Sequence, residues 1–324
     1  MAIRICLSAL FILIQIAHLS GQKLAMGVVG ESSAEAIGID PIEYLRTWNF
    51  NNLAAAERSR YYKETDLPDG TKLREYWIDA VDREIEIAPG VFFPAWTYGG
   101  QVPGPTIRAT EGDTVRIYFT NAGDRAHTMH FHGYHHEAMD GSMPHQFVYP
   151  GETFEYEFKA GPFGIHLYHC HSTPLVQHIH KGLYGVYIVD PKVPRPDAHE
   201  IIMVMNGFDT NFDEDNEIYA VNTIAHYYLE NPIEVPLGKV VRIYLVNILE
   251  FDLLNSFHLH ANFFNEFRTG TSLEPDAFTD IVKLAQAERS ILEIEFQFPG
   301  EYMFHAHQTE FSALGWMGLF NVAE

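Results

Sequence analysis

Cysteine is scarce, because the 324 residues contain only Cys6 and Cys170. Cys6 lies in a segment with the character of a cleaved leader, so we expect no disulfide framework in the mature chain. Basic residues are also few, with 21 Lys and Arg against 43 Asp and Glu and a formal charge of -22. Nucleic acids and anionic membranes are polyanions, so this balance argues against both as partners and favours a cationic or neutral small substrate.

Long apolar runs are lacking except near the N-terminus, where Arg4 precedes the apolar residues 5–17 and a small polar stretch follows. This order predicts a signal peptide over residues 1–21 and a secreted or extracytoplasmic protein, in a periplasm or at a cell surface. The run is shorter than a membrane span. An uncleaved N-terminal anchor is the alternative, because residues 20–21 form an imperfect cleavage site.

A helix-prone N-terminal extension, residues 22–72, precedes a region with a different pattern. From Leu73 onward apolar residues alternate with polar ones, as in DTVRIYFTN over 113–121 and TFEYEF over 153–158. Such alternation, interrupted by Gly and Pro, is typical of short antiparallel strands in a β-sandwich. The sequence therefore predicts an all-β protein with a short helical N-terminal extension.

The chain also contains an internal repeat. GDTVRIYFTN over 112–121 recurs as GKVVRIYLVN over 238–247, and each copy is followed by two His-x-His pairs. Two copies of one β-domain are therefore expected. The Pro-rich residues 191–196 form the natural linker, which gives one domain over residues 73–192 and a second over residues 193–324.

Histidine is abundant, with 18 residues in the chain. Residues i and i+2 of a strand point to the same face, so a His-x-His pair presents two imidazoles toward one metal site. A lone histidine is more often structural, but pairs at equivalent places in a repeat indicate metal ligands. The pairs are His130/His132, His169/His171, His258/His260 and His305/His307.

The first copy carries further ligands, because Cys170 lies inside its second pair and two more histidines, His127 and His178, stand nearby in the sequence. One thiolate and two imidazoles are the ligand set of a blue copper electron-transfer site. The usual weak axial methionine is replaced by Leu183. We therefore expect a three-coordinate centre that favours Cu(I) and has a raised potential.

The second copy lacks this ligand set. At the positions of His127, Cys170 and Leu183 it carries Asn255, Ala306 and Trp316. One blue copper per chain is therefore expected.

Four segments resemble the copper signatures of the multicopper oxidases: HTMHFHG (127–133), HCHSTPLVQHIHKGL (169–183), FHLHANFF (257–264) and HAHQTEF (305–311). The resemblance spans residues 75–324 and is to the two-domain, laccase-like form, which is related to copper nitrite reductases. It implies a cupredoxin-like Greek-key β-sandwich in both domains. It also implies a homotrimer in which a three-copper cluster lies between domain 1 of one chain and domain 2 of the next.

The same resemblance implies about four copper ions per chain, one of type 1, one of type 2 and two of type 3. The type 1 ligands would be His127, Cys170 and His178, with Leu183 as a non-coordinating axial neighbour. The type 2 ligands would be His130 and His258, and the type 3 ligands His132, His169, His171, His260, His305 and His307. Substrate electrons would enter through a solvent-facing His178, and four transfers would reduce oxygen to water.

Two acidic residues lie close in sequence to the implied cluster ligands. Asp140 resembles the family's aspartate beside the type 2 copper and could orient water or relay protons, although a turn-forming Asp-Gly pair is the alternative. Glu310 is a weaker proton-donor candidate, with an ordinary surface role as its alternative. The His- and Met-rich loop 135–145 could dock Cu(I), although a polar surface loop is the simpler interpretation.

Two other functions fit parts of this pattern. A copper nitrite reductase shares the two domains and the blue copper, but that family has an aspartate where His130 stands and does not need eight cluster histidines. A non-enzymatic blue copper electron-transfer protein would leave the histidine pairs of the second domain unexplained. The expected partners are molecular oxygen and a small reducing substrate, which could be a phenol, a metal ion or a small nitrogen compound.

Overall fold

The computed structural model describes residues 61–323. The predicted signal peptide and residues 22–60 of the predicted helical extension lie outside this range. Among the described residues, no helix has both the length and the apolar character that crossing a membrane requires.

The first domain is a sandwich of two sheets. Its strands are β1 (Tyr62–Asp66), β2 (Lys72–Ala88), β3 (Val91–Tyr98), β4 (Gly104–Thr110), β5 (Thr114–Asn121), β6 (His130–Phe131), β7 (Thr153–Lys159), β8 (Gly164–His169) and β9 (Tyr184–Asp190). One sheet has the order β1-β2-β5-β7 with β3 paired to β2, and the other has the order β4-β9-β8-β6. Helix α1 (Leu175–His180) connects β8 to β9, and two 3-10 turns, Glu137–Met139 and Pro144–Gln146, lie between β6 and β7.

The second domain repeats this plan. Its strands are β10 (His199–Phe208), β11 (Ile218–Val221), β12 (Ile233–Pro236), β13 (Val240–Asn247), β14 (Leu254–Leu259), β15 (Phe264–Arg268), β16 (Ala277–Thr279), β17 (Ile281–Ala285), β18 (Arg289–Glu295), β19 (Gly300–His305) and β20 (Met317–Ala323). The sheets have the orders β11-β10-β13-β18-β15-β16 and β12-β20-β19-β14-β17. Helix α2 (Tyr227–Glu230) precedes β12, and helix α3 (Thr309–Ala313) connects β19 to β20.

The alternation noted in the sequence produces the core of domain 1. In β5, Val115, Ile117 and Phe119 are fully buried, while the residues between them are partly exposed. Each such side chain contributes about 1.5–3 kcal/mol by leaving water. In the equivalent strand β13 both faces are buried, because one face meets the core of domain 2 and the other faces domain 1.

Two features differ from the sequence-based expectation. Each sheet contains one parallel pair among its antiparallel neighbours, namely β2–β5, β4–β9, β10–β13 and β12–β20. Alternation reports which face of a strand is buried and carries no information on strand direction. In addition, β1 lies inside the predicted extension, where its side chains are mostly exposed and show no alternation.

A third apolar core joins the two domains. Ile85, Val102 and Leu167 of domain 1 belong to the same buried cluster as Val204 and Ile291 of domain 2. At its edge, the Arg108 guanidinium forms ion pairs with Asp190, at 2.7 Å, and with Glu200 of β10, at 2.6 Å. The domains are therefore packed against each other over an apolar surface with a charged margin.

Candidate metal centres

Three buried side chains of domain 1 bring their metal-binding atoms together. The Cys170 Sγ atom lies 3.1 Å from Nδ1 of His178 and 3.9 Å from Nδ1 of His127. The two Nδ1 atoms are 3.2 Å apart. Donors at these separations can all reach one central ion, and a thiolate with two imidazoles fits a type 1 copper. These three residues are called the triad below.

The sheet that contains β8 and β9 positions the triad. Cys170 directly follows β8, and its backbone N–H donates to the Leu183 carbonyl at 2.9 Å. His127 exchanges two backbone hydrogen bonds of 3.0 Å with Val148. His178 lies in α1, the helix that follows Cys170. Local strand pairing and one short helix thus bring together ligands that are 51 positions apart.

Burial controls the protonation of the triad. It lowers the pKa of His127 to about 3 and the pKa of His178 to about 4, so both imidazoles are neutral at neutral pH. Burial also raises the pKa of the Cys170 thiol, whereas backbone N–H donors such as that of Thr128, 3.3 Å from Sγ, lower it. Because the thiolate is the ligand, metal binding here releases a proton.

Leu183 occupies the predicted axial position and is fully buried in the core of domain 1. Its side chain carries no donor atom, so it would leave an ion with three protein ligands.

The expectation of a solvent-facing His178 is wrong. His178 is only 2% exposed and His127 only 1%. The indole ring of Trp96 covers both, with ring centroids 4.9 Å from His178 and 5.6 Å from His127. Trp96 lies on β3, far from either ligand in sequence, and no sequence pattern marked it as part of the site.

The two His-x-His pairs of domain 1 converge on a second site, called half-site 1. The Nε2 atoms of His132 and His169 are 3.3 Å apart. A ring nitrogen of His130 lies within 4.8 Å of both side chains. The His171 ring stands beside that of His130, with centroids 5.3 Å apart, although it is outside the closest group of three.

Domain 2 contains the same arrangement, called half-site 2. The Nε2 atoms of His260 and His305 are 2.9 Å apart, and His258 completes a group within 4.8 Å. The His307 ring lies 5.5 Å from that of His258. Each half-site therefore offers three closely grouped imidazoles and a fourth beside them.

Backbone carbonyls orient these imidazoles. In each half-site two rings donate an Nδ1–H hydrogen bond to the main chain, which leaves Nε2 free to bind a metal. The four pairs are His130 with the Asp140 carbonyl (2.8 Å), His169 with Cys170 (2.9 Å), His258 with Asp280 (2.8 Å) and His305 with Ala306 (2.6 Å).

A carboxylate lies beside the leading histidine of each half-site. Asp140 Oδ1 lies 3.2 Å from Nδ1 of His130, and the Ser142 hydroxyl donates to Oδ2 of Asp140. Asp280 occupies the equivalent place, with Oδ2 3.7 Å from Nδ1 of His258. Asp280 was not identified from the sequence, because it lies 22 positions after His258 whereas Asp140 lies 10 positions after His130.

Glu310 lies at the periphery, and so does most of the loop 135–145, although Asp140 of this loop stands beside His130. Glu310 is exposed in the first turn of α3, and no hydrogen bond or ion pair among the described residues joins it to a cluster histidine. Its proton-donor role stays a prediction. In the loop, the His136 ring accepts the Ala138 N–H at 3.1 Å, and Met139 packs against the core of domain 1. The His136 ring thus caps a turn of the loop and Met139 anchors the loop to the core, and Cu(I) docking there also stays a prediction.

The two half-sites are separate within one chain. Across residues 61–323, every close group of metal-binding atoms and every contact between two histidine rings stays within one domain. The described histidines thus form parts of one triad and of two separate half-sites.

Domain 2 has apolar packing where domain 1 has the triad. The backbone N–H of Ala306 donates to the Trp316 carbonyl at 3.2 Å, and the backbone N–H of Trp316 donates to the Phe311 carbonyl at 2.9 Å. Two equivalent hydrogen bonds connect the triad segment of domain 1. In chain order, His127, Cys170, His178 and Leu183 thus correspond to Asn255, Ala306, Phe311 and Trp316, all of which are buried.

The chain matches known proteins over both domains. Two family models, each described as multicopper oxidase, match residues 81–194 and residues 195–324. A crystal structure of a multicopper oxidase is 52% identical, with a TM-score of 0.79, and the match covers 81% of this chain and 93% of that one. Together with the paired sheets, these matches confirm the predicted all-β fold with two cupredoxin-like domains.

Copper nitrite reductases are also similar. The copper-containing nitrite reductase of Neisseria meningitidis is 29% identical over 267 residues, which are 75% of this chain and 67% of that protein. The copper nitrite reductase structure from Nitrosomonas europaea is 26% identical, with a TM-score of 0.71, and covers 78% of this chain and 94% of that one. The chain spans about two thirds of the length of the curated relatives it matches first.

Proposed function

The chain belongs to the multicopper oxidase family, and from this premise we propose that it couples oxidation of a small reducing substrate to the four-electron reduction of oxygen to water. Membership of the family implies a copper-dependent oxidoreductase. Oxygen as the acceptor, laccase-like activity and about four copper ions per chain are parts of the proposal. So is export from the cytoplasm, which the predicted N-terminal leader supports.

Half-site 2 is the observation that carries this proposal. His258, His260 and His305 gather in the same way as their counterparts in domain 1 and use the same carbonyl acceptors for Nδ1. A protein that only transfers electrons needs the triad and has no use for a second set of oriented imidazoles. A cluster of three ions accounts for both half-sites.

The donor set fits copper at each place. We assign the type 1 ion to His127, Cys170 and His178, with Leu183 beside it, and the type 2 ion to His130 and His258. The type 3 pair is assigned to His132, His169, His171, His260, His305 and His307. When bound, copper supplies one-electron redox chemistry at the triad and oxygen reduction at the cluster.

The protein's own groups connect and support these sites. Cys170 is bonded through the backbone to His169 and His171, so a triad ligand and two cluster ligands are held at a fixed separation. The His169 ring also donates to the Cys170 carbonyl, which adds a hydrogen-bonded path beside the covalent one. Asp140, fixed by Ser142, is suited to hold a proton beside His130.

A second copy of the chain would complete the cluster. The two half-sites do not meet within one chain, and His260 is exposed at the surface of half-site 2. Phe263, which is near His260 in sequence, packs on Phe278 of β16 with ring centroids 5.3 Å apart, and the two side chains are 54% and 69% exposed. Exposed aromatic pairs of this kind are typical of interfaces. We therefore propose a homotrimer with a cluster between neighbouring chains.

The first experiment measures copper per chain in the copper-reconstituted mature protein together with its visible absorption. About four ions with an intense blue band, and oxygen uptake that yields water without peroxide, are the expected result. About two ions per chain, with nitrite consumed and oxygen ignored, would move the protein to the nitrite reductases. Their 29% identity to the chain makes that the second candidate.

A complementation experiment tests the assembly. One variant carries His132→Gln in half-site 1, and the other carries His260→Gln in half-site 2. Each should be inactive alone. If clusters form between chains, refolding an equal mixture restores about a quarter of the sites, because only one pairing in four joins two intact halves. A mixture as inactive as its components would contradict the intermolecular cluster.

A further inference from the structure

A reducing substrate cannot touch either imidazole of the triad, because both are buried. Trp96 lies between them and the solvent, with its indole in contact with both rings. The indole is half-buried and lines a surface cleft. None of the triad residues is among the described residues that line this cleft. Trp96 therefore offers an electron a direct path from the cleft to both imidazoles of the triad.

The cleft combines aromatic rings with cations. Phe212, which is 53% exposed, forms another part of its wall. The Lys181 ammonium lies 4.3 Å from the centroid of the Phe212 ring and 6.0 Å from that of Trp96. The Arg125 guanidinium lies 5.4 Å from the Trp96 centroid. These distances are within the range of cation–π contacts.

The charge of the cleft differs from that of the whole chain. Its lining includes three acidic and three basic residues, Asp82, Glu84, Asp124, Arg83, Arg125 and Lys181. The formal charges balance there, whereas the chain carries -22. The two cations nearest the indole oppose the approach of a metal ion to it. The cationic substrate favoured by overall composition is therefore disfavoured at this place.

We infer that Trp96 is the residue on which the reducing substrate docks: an uncharged or anionic ring compound stacks on the indole and transfers one electron across it to the triad. The donor is oxidised by one electron, and a phenolic donor releases its proton to solvent. An ion held by His127, Cys170 and His178, as in the proposed function, would take up the electron, and the indole would be unchanged. The inference rests on that type 1 site and is independent of whether oxygen or nitrite is the final acceptor.

Anaerobic stopped-flow measurement of blue-band bleaching tests the transfer. With catechol as donor, Trp96→Leu should slow bleaching about tenfold or more, because it removes both the stacking surface and the indole path. Trp96→Phe should recover part of the rate. The matched control is Trp77→Leu, since Trp77 stacks on Tyr118 at 5.0 Å and lines no part of the cleft. An unchanged blue band must accompany each variant, and a Trp96→Leu rate within twofold of the parent overturns the inference.

Binding is tested separately with copper-free protein by saturation-transfer difference NMR, using benzoate as a non-reducing probe. We expect transfer to the benzoate ring that is lost in Trp96→Leu and kept in Trp77→Leu. Cyclohexanecarboxylate has the same charge without the aromatic ring and should give a weaker signal. Equal signals for both probes, or a signal that survives in Trp96→Leu, would show that the indole is not the docking surface.

The role of the cations is tested with Lys181→Met. The ratio of the bleaching rate with ferrous ion to the bleaching rate with catechol should rise by about threefold to tenfold. Absence of any difference between the two donors would remove the charge part of the inference. If no blue band forms in the parent protein, the proposed type 1 site fails, and the benzoate experiment still decides whether the cleft binds rings.

Discussion

Domain 1 and domain 2 hold their histidines with the same main-chain contacts, yet only domain 1 has a triad behind them. In both, the ring of the first pair's leading histidine donates to an aspartate carbonyl at 2.8 Å. In both, the last histidine's backbone N–H donates to a hydroxyl, that of Thr128 at 3.0 Å and that of Ser256 at 2.8 Å. A half-site is thus a property of the shared scaffold and does not depend on the triad.

What differs is the content of one buried space. In domain 2, Trp316 fills the region that corresponds to the triad, and its indole N–H has no hydrogen-bond partner among the described residues. The Nδ2 atom of Asn255 is also without one there. Domain 2 has apolar packing where domain 1 has metal ligands. We therefore expect substitutions at these positions to lower the stability of the protein in domain 2 and to slow electron transfer in domain 1.

Removal of the thiolate should have the largest effect. Cys170→Ser takes away the one soft ligand of the triad. We expect the blue absorption to disappear, copper to fall by about one ion per chain, and oxygen consumption to drop more than about a hundredfold. Ala306→Ser places the same side chain at the equivalent position of domain 2 and should keep both colour and activity. A blue band that persists in Cys170→Ser would refute the type 1 assignment.

Emptying the equivalent space of domain 2 should mainly affect stability. Trp316→Ala leaves a large cavity in the core, and we expect the free energy of unfolding of the copper-free protein to fall by about 3–5 kcal/mol in urea titrations. Trp77→Ala makes the same change at a half-buried position and should cost clearly less. Equal losses in the two variants would mean that Trp316 does not support the core in the way its burial indicates.

The aspartates of the two half-sites should differ in their effect on catalysis. Asp140→Asn keeps the carbonyl that orients His130 but removes the carboxylate, so we expect kcat for oxygen reduction to fall about a hundredfold with copper retained. Asp280→Asn should have a smaller effect, about tenfold or less, because its carboxylate is farther from the ring nitrogen and more exposed. An Asp280 variant that is the slower of the two would reverse this ranking.

Acid should destabilise the copper-free protein. Burial lowers the pKa of His127 and His132 to about 3, and of His169 and His178 to about 4, from 6.5. The unfolded chain therefore binds more protons below about pH 6.5, so the free energy of unfolding falls as pH drops from there toward 4. Urea titrations at several pH values measure this slope, and His132→Gln should flatten it. A stability that stays constant over this window would contradict the neutral, buried state of these rings.

The smallest structural effect is expected for Leu183→Met. The two side chains are close in volume, so the free energy of unfolding should change by less than about 1.5 kcal/mol. The thioether adds a weak axial ligand and should lower the reduction potential of the blue copper. Redox titration of the blue band checks this, and an unchanged potential would show that the axial position lies too far from the ion.

The histidine pairs were predictable because strand periodicity is a local property. Spacing of two residues places both rings of a pair on one face wherever a strand forms, and the repeat then identifies equivalent pairs. The β-sandwich domains followed from the same alternation. Strand direction did not, because parallel pairs such as β2–β5 join strands that are distant in sequence.

Features created by packing between distant segments could not be predicted. Trp96 covers the triad because β3 passes close to the end of α1. There the backbone N–H of Trp96 donates to the Lys181 carbonyl at 2.9 Å. Phe311 corresponds to His178 because its carbonyl accepts the backbone N–H of Trp316, as the His178 carbonyl accepts that of Leu183. Sequence spacing does not show this, since the loop after Ala306 is shorter than the loop after Cys170. Asp280 approaches His258 from the end of a different strand. Each of these depends on tertiary contacts that leave no periodic signal.

The apolar core that joins the domains also determines how the molecule unfolds. Side chains from both halves share this core, so neither half can lose its structure without exposing apolar surface of the other. We therefore expect a single cooperative melting transition rather than two. By mass-action linkage, an ion bound at the triad should raise the melting temperature of domain 2 as well, although that domain does not hold it. Each domain therefore stabilises the other, and we expect neither to stay folded when it is expressed alone.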